Sequence, residues 1–131
     1  MNLFAYGTLV FEPIFLRVVG KNYPFQPAYL KDYIAYCVQD ELYPGLVYQP
    51  GGITTGKLYV GLNYNDFELL SAYEGDEYTL EEIELRIGFD AKPAQAYTYV
   101  YAGKYFEHLT SNVFSLKQFE ACSLSQYAKA L

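Results

Sequence analysis

An α+β fold, a small mixed or antiparallel β-barrel flanked by short helices, is what this sequence predicts. Three observations lead there. Stretches that alternate apolar and polar residues read as about six strands. Two segments with helical spacing of apolar residues carry terminal signals of their own. The chain has 131 residues, 52% of them apolar and 18% charged, which is material for the packed core of one domain spanning 1–131.

Taken in order, Leu3 to Tyr6 is a short apolar strand broken by Gly7-Thr8. From Glu12 to Val19, Ile14, Phe15, Val18 and Val19 recur at helical spacing, with Pro13 in the first turn and Gly20 at the stop. The chain therefore opens as strand, glycine turn, helix. Tyr29 to Val38 reads as a strand, bent along its length, with Leu30, Ile34 and Val38 on one face. Tyr43-Pro44-Gly45 is a turn before a short strand, Leu46–Tyr48. Pro50-Gly51-Gly52 is a second turn, before a strand over Lys57–Leu62 with Leu58, Val60 and Leu62 inward.

A helix capped by Asn65, with Glu68 three residues on, runs through Phe67, Leu69, Leu70 and Tyr73 to a stop at Gly75. Tyr78–Ile87 and Gln95–Tyr101 are strands, the latter presenting Tyr97, Tyr99 and Tyr101 on one face. The tail from Ser115 to Leu131 forms two short helices.

Composition excludes several functions. The net charge is −6 without a cluster of Lys and Arg, so neither nucleic acid nor an anionic membrane is an expected partner. No run of about 20 apolar residues exists to span a bilayer. Cys37 and Cys122 stand far apart and outside any motif, which fits a reduced, cytoplasmic setting. His108 is the only histidine, so no metal site is expected. No dinucleotide or phosphate-loop signature occurs, and no cofactor is implied. Sixteen tyrosines fit either half-buried walls around a wet cavity or strand surfaces that favour the residue.

Carboxylate chemistry remains, and two motifs carry it. In Phe4-Ala5-Tyr6-Gly7-Thr8-Leu9 a strand ends in a glycine turn before a helix, which presents successive backbone N–H groups to an anion. In Leu69-Leu70-Ser71-Ala72-Tyr73-Glu74-Gly75-Asp76-Glu77-Tyr78, Glu74 falls on the last helical turn. The negative end of the helix dipole and the acids Asp76, Glu77 and Glu81 would raise its pKa toward what a general base needs at neutral pH.

Together with Tyr43–Val47 (YPGLV), Gly56–Leu62 (GKLYVGL) and Ala96–Tyr101 (AYTYVY), these motifs resemble, in order and spacing, the gamma-glutamylcyclotransferase-like family over residues 3–101. The resemblance implies a small barrel with its cavity at one mouth and a metal-independent transferase (acyltransferase) reaction. In it a small-molecule γ-glutamyl amide or amine releases 5-oxoproline and the free amine. It further implies Glu74 as the catalytic acid/base and Tyr6, Gly7, Thr8 and Leu9 as the loop for the γ-glutamyl end. Tyr99 and Tyr101, on the strand face aimed inward, are candidates to orient the substrate. Where the family commonly carries Arg two residues after the motif's last Tyr, this chain has Leu80. That departure favours an alternative: a non-catalytic small-molecule binding protein on the same barrel.

Overall fold

A computed structural model describes all 131 residues. The strands are β1 (Leu3–Ala5), β2 (Phe25–Val38), β3 (Pro44–Tyr59), β4 (Tyr78–Ile87), β5 (Lys92–Tyr101) and β6 (Leu109–Val113). The α-helices are α1 (Glu12–Val19), α2 (Tyr64–Glu74), α3 (Leu116–Cys122) and α4 (Leu124–Ala130). Strands pair in the order β3-β1-β5-β4-β2, and β2 returns to β3, so five strands close into a barrel. The sixth, β6, hangs on β2. Only β1 and β5 run parallel; every other pair is antiparallel. Closure leaves no free edge within the ring.

The barrel has an apolar inside and an apolar flank, as strand alternation dictates. Phe4, Leu30, Ala35, Leu46, Leu58, Ile83, Leu85, Ala96 and Val100, drawn from all five strands, fill the interior. Leu3 and Ala5, on the opposite face of β1, pack outward against Ile14, Phe15 and Val19 of α1, Phe67 and Leu70 of α2, and Phe119 of α3. Phe15 stacks on Tyr59 with ring centroids 4.0 Å apart. The Tyr59 hydroxyl then donates to the Leu9 carbonyl at 2.9 Å. That bond ties the loop after β1 to the helical flank.

The long β2–β3 hairpin departs from the sequence expectation. The two strands expected around Pro50-Gly51-Gly52 are one strand, β3, which pairs with β2 from Phe25–Tyr59 to Cys37–Pro44. Gly51 (φ +87) sits within it, and its N–H donates to the Asp32 carboxylate at 2.9 Å. Asp32 itself is left-handed (φ 67), and the register shifts between Lys31 and Tyr33. Four residues of β3, Gln49–Gly52, stand there against Asp32 alone, and this irregularity changes which face of β2 points inward. Leu30 therefore points inward before it and Ala35 after it, leaving Ile34 only half-buried. Val60 lies past the end of β3 and is exposed, so of the expected inward set only Leu58 and Leu62 are buried.

Helix α2 begins two residues earlier than expected. Asn63, not Asn65, is its cap: its side chain accepts from the Asp66 N–H at 2.9 Å, and Asp66 accepts from the Asn63 N–H at 2.9 Å. Asp66 is wholly buried. Burial would push its carboxyl up, but the Tyr23 hydroxyl, the Asn63 amide and the Lys21 ammonium outweigh it and hold the pKa below the usual range. Gly75 (φ 78) ends the helix as expected.

Gly56 lets β3 pass β1 closely. A Cβ there would lie 2.1 Å from the Ala5 carbonyl oxygen, a backbone atom that cannot rotate away. Gly56→Ala is expected to lose about 2–3 kcal/mol of unfolding free energy, read from urea denaturation. An unchanged midpoint would contradict this packing.

Candidate active site

Two adjoining cavities open where the loop after β1 meets the C-terminus of α2. The inner one, about 20 Å³, is a niche with room for about one water-sized group. Tyr6, Gly7, Thr8, Leu9, Pro44, Glu74, Tyr78 and Tyr99 are among its walls. The outer one, about 140 Å³, is lined by Thr8, Tyr43, Tyr73, Glu74, Tyr78 and Tyr127. Thr8, Tyr43, Glu74 and Tyr78 belong to both.

The loop is fixed from several sides. Gly7 presses on Pro44, where a Cβ would come within 2.8 Å of the proline ring. After it comes a 3₁₀ turn, Thr8–Val10, closed by Val10 N–H to the Gly7 carbonyl at 3.1 Å. Helix α1 starts only at Glu12. The residues of this loop that line the niche, Gly7, Thr8 and Leu9, therefore belong to this turn and its cap rather than to the N-terminus of α1, contrary to the expectation from sequence. The first amides of any helical turn lack an intrahelical acceptor, so the chemistry anticipated for them survives. Tyr6 turns its ring into the barrel, and its hydroxyl donates to the Tyr99 carbonyl at 2.6 Å.

Glu74 is the last residue of α2 and enters both cavities half-buried. Burial pushes its pKa up to about 8. The cause differs from the one expected. The acids Asp76, Glu77 and Glu81 contribute nothing to the shift, because each points elsewhere. Asp76 is exposed, Glu81 accepts from Thr79 on the surface, and Glu77 accepts from Tyr43 at 2.9 Å and Tyr101 at 2.5 Å. No donor or cation of the protein serves the Glu74 carboxyl, so desolvation acts alone. The result is a carboxyl that takes and gives a proton near neutrality and keeps both oxygens for a ligand.

Phenols form much of the wall. Tyr99, on β5, lines the niche, bonds Ser71 of α2 at 2.8 Å and has its pKa raised to about 12 by burial. The Tyr78 hydroxyl donates to the Pro44 carbonyl at 2.6 Å. A chain of hydroxyls runs from Thr8 to Tyr73 at 2.7 Å and on to Tyr127 at 2.6 Å. Of the candidate residues, Tyr6, Gly7, Thr8, Leu9, Glu74 and Tyr99 meet around one niche, although 65 positions separate Tyr6–Leu9 from the helix end. Tyr101 does not. Two residues further along β5, it has passed the cavity mouth. Its ring packs on Gly45, Tyr78 and Tyr105, and its hydroxyl goes to Glu77.

Four wall tyrosines went unassigned at the sequence level. Tyr43, Tyr73 and Tyr78 lie inside recognised motifs, which is a signal for them. Tyr127 sits in a tail helix that no motif marks. Both explanations of the tyrosine excess hold in part: Tyr48 and Tyr64 are surface residues, while six others wall the cavities. Leu80 faces outward opposite Tyr99 across the β4–β5 ladder, is exposed, and lines neither cavity.

A sequence model of the family described as gamma-glutamyl cyclotransferase, AIG2-like, matches residues 3–120. AIG2-like protein D of Arabidopsis thaliana is 22% identical over 104 residues, which cover 79% of this chain and 68% of that protein. An Arabidopsis thaliana protein solved in solution superposes with a TM-score of 0.76 at 19% identity, over 98% of this chain and 78% of that one. A solved gamma-glutamyl cyclotransferase gives a TM-score of 0.65 at 13% identity, over 98% and 84%. At such identities these structures speak to the fold, and the barrel with its short helices is the same.

Proposed function

Because the chain belongs to the gamma-glutamyl cyclotransferase, AIG2-like family, we propose that it converts a γ-glutamyl amide or amine into 5-oxoproline and the free amine, with Glu74 as acid/base. The observation that carries this reading is a desolvated carboxyl with no protein partner, set beside a loop of backbone amides. A pure binding protein gains nothing from a carboxyl held in that state.

In this reading the α-carboxylate of the substrate meets the amides of the Gly7–Leu9 turn, and its α-ammonium meets Glu74. A peptide α-ammonium has a reference pKa of about 7.7–8.0 and the substrate's free α-carboxylate raises it further, so the raised pKa of Glu74 narrows the gap that proton transfer must cross. Glu74 takes one proton. The freed amine attacks its own γ-carbonyl carbon, forming the ring C–N bond, and amides near Gly7 steady the oxyanion. The bond to the leaving nitrogen then breaks as Glu74 returns the proton to that nitrogen. The ring nitrogen sheds its second proton on closure, and the released amine is protonated in water. Because nucleophile and electrophile share one molecule, holding the folded conformer supplies much of the rate.

A panel of γ-glutamyl amides and amines, assayed for 5-oxoproline, tests the reading. Release from at least one compound is the expected result. Binding without release across the panel would instead establish the non-catalytic alternative that Leu80 brings forward.

A further inference from the structure

A second carboxylate lines neither cavity yet acts on one of their walls. Glu77 lies in the link from α2 to β4, half-buried, with both carboxylate oxygens engaged. Oε1 accepts from the Tyr43 hydroxyl at 2.9 Å and Oε2 from the Tyr101 hydroxyl at 2.5 Å. The Ala102 N–H donates to the Glu77 carbonyl at 2.7 Å and fixes the backbone there. Tyr101 is itself buried, its ring against Gly45, Tyr78 and Tyr105. His108 Nδ1 stands 3.9 Å from Oε2, too far for a hydrogen bond. Glu77 is thus an acceptor held in one place.

Tyr43 is the wall it acts on, and both cavities share it. A phenol has one proton to donate. Three wall phenols have committed theirs: Tyr6 to the Tyr99 carbonyl and Tyr78 to the Pro44 carbonyl, each at 2.6 Å, and Tyr43 to Glu77. Main-chain carbonyls hold the first two. Tyr43 alone is held by a charged group, and an O–H bonded to a carboxylate is polarised, which strengthens its oxygen as an acceptor. Burial first, and then the Glu77 charge, keep Tyr43 from ionising. Toward a ligand it therefore offers lone pairs and no proton. Glu74 in the same space has no protein partner, and neither cavity has Lys or Arg in its walls. The group suited to two such acceptors is a cation with several N–H donors, and an α-ammonium has three.

From this geometry we infer that Glu77 is a positioning residue: by taking the Tyr43 proton it makes the Tyr43 oxygen an acceptor for the substrate's α-ammonium, beside Glu74. The inference rests on the proposed cyclotransfer and adds to it the group that holds the nucleophile. The N–H bound by Tyr43 is not the one Glu74 takes, so the amine stays in place after it loses a proton. Without Glu77 the Tyr43 hydroxyl is free to turn its proton toward the ammonium and oppose it.

The γ-glutamyl compound of the panel that releases 5-oxoproline fastest is compared with the glutaric acid monoamide of the same amine, which lacks the α-ammonium. The inhibition constant of the monoamide divided by the KM of the γ-glutamyl compound measures the preference for the ammonium. In Tyr43→Phe this ratio is expected to fall about tenfold, as for the loss of one hydrogen bond to a charged group. Glu77→Ala should lower it comparably, and the double variant should fall no further than Tyr43→Phe alone, because Glu77 acts through Tyr43. Tyr101→Phe removes the other phenol and should keep the ratio. Each ratio is internal to one protein sample, so partial loss of folded material does not alter it. Tyr43→Phe keeps the ring and tests the acceptor even where Glu77→Ala does not fold. An unchanged ratio in Tyr43→Phe, additive losses in the double variant, or an equal loss in Tyr101→Phe would each overturn the inference and leave the cyclotransfer standing. Release of 5-oxoproline from no compound of the panel would remove the cyclotransfer and the inference with it.

Discussion

Glu74→Gln is expected to be more stable than wild type above pH 8, by a margin that closes as the pH falls toward 4. In the folded protein the carboxyl keeps its proton up to about pH 8, whereas the unfolded chain gives it up near 4.5. Between those values the native state holds the extra proton, so raising the pH favours unfolding and wild-type stability declines through this window. A shift from 4.5 to about 8 corresponds to roughly 5 kcal/mol at most. The side chain keeps some contact with water, which lowers the expected difference to about 2–4 kcal/mol at pH 9. Glutamine keeps the shape and never ionises, so its curve should be flat where that of the wild type falls. Urea denaturation of both proteins at pH 5, 7 and 9 reads this directly. Parallel curves would show that burial does not hold the proton.

The same substitution is expected to lower 5-oxoproline release by about 10³–10⁴-fold. General acid–base catalysis contributes on the order of 10²–10⁴-fold, and one group here serves both the attack and the departure, which places the loss toward the upper end. Binding should change little, because the amide can still accept a hydrogen bond from the substrate ammonium. The effect thus belongs in kcat rather than in KM. Wild-type activity depends on the ionised carboxyl, so it should rise with pH to a plateau above about pH 8. A rise centred near 4.5 would mean that the working carboxylate is an ordinary exposed one. Equal rates for Glu74→Gln and wild type would remove Glu74 from the reaction.

Much of the barrel was legible because local signals and tertiary packing agree. Helix α1 and strand β4 begin and end where periodicity and the stop signals place them. The errors cluster where a single residue resets the pattern. Asp32 in the left-handed region marks the irregularity in the β2–β3 ladder, so the parity that linked Leu30 to Ile34 breaks between them. Pro50-Gly51-Gly52 reads locally as a turn, but the closing barrel draws it into one long strand, stitched by Gly51 to Asp32. Asn63 and Asn65 are both plausible caps by type. Each has an acid three residues on, Glu68 after Asn65 and Asp66 after Asn63, and the pair that forms is Asn63–Asp66, with Asp66 buried.

The site divides along the same line. Motif residues converge on one niche, because strand β1 and helix α2 pack side by side in the flank. The reason for the Glu74 shift was not legible. Neighbours in sequence suggested charge repulsion, whereas the helix end turns Glu74 inward and its acidic neighbours outward. Nor was the role of the tail: Tyr127 reaches the cavity only through the packing of the last two helices. A face shared along a strand also proved too coarse a guide, as Tyr99 and Tyr101 end in different surroundings.

The central claim is that the substrate's own amine, relieved of a proton by Glu74, is the nucleophile. The fate of solvent oxygen tests it most directly. Wild-type protein is incubated in ¹⁸O-enriched water with the most active γ-glutamyl compound, and the products are weighed by mass spectrometry. The account predicts unlabelled 5-oxoproline in equal amount to the free amine, since no water enters the reaction. Glutamate carrying one ¹⁸O would instead make water the nucleophile and contradict the account.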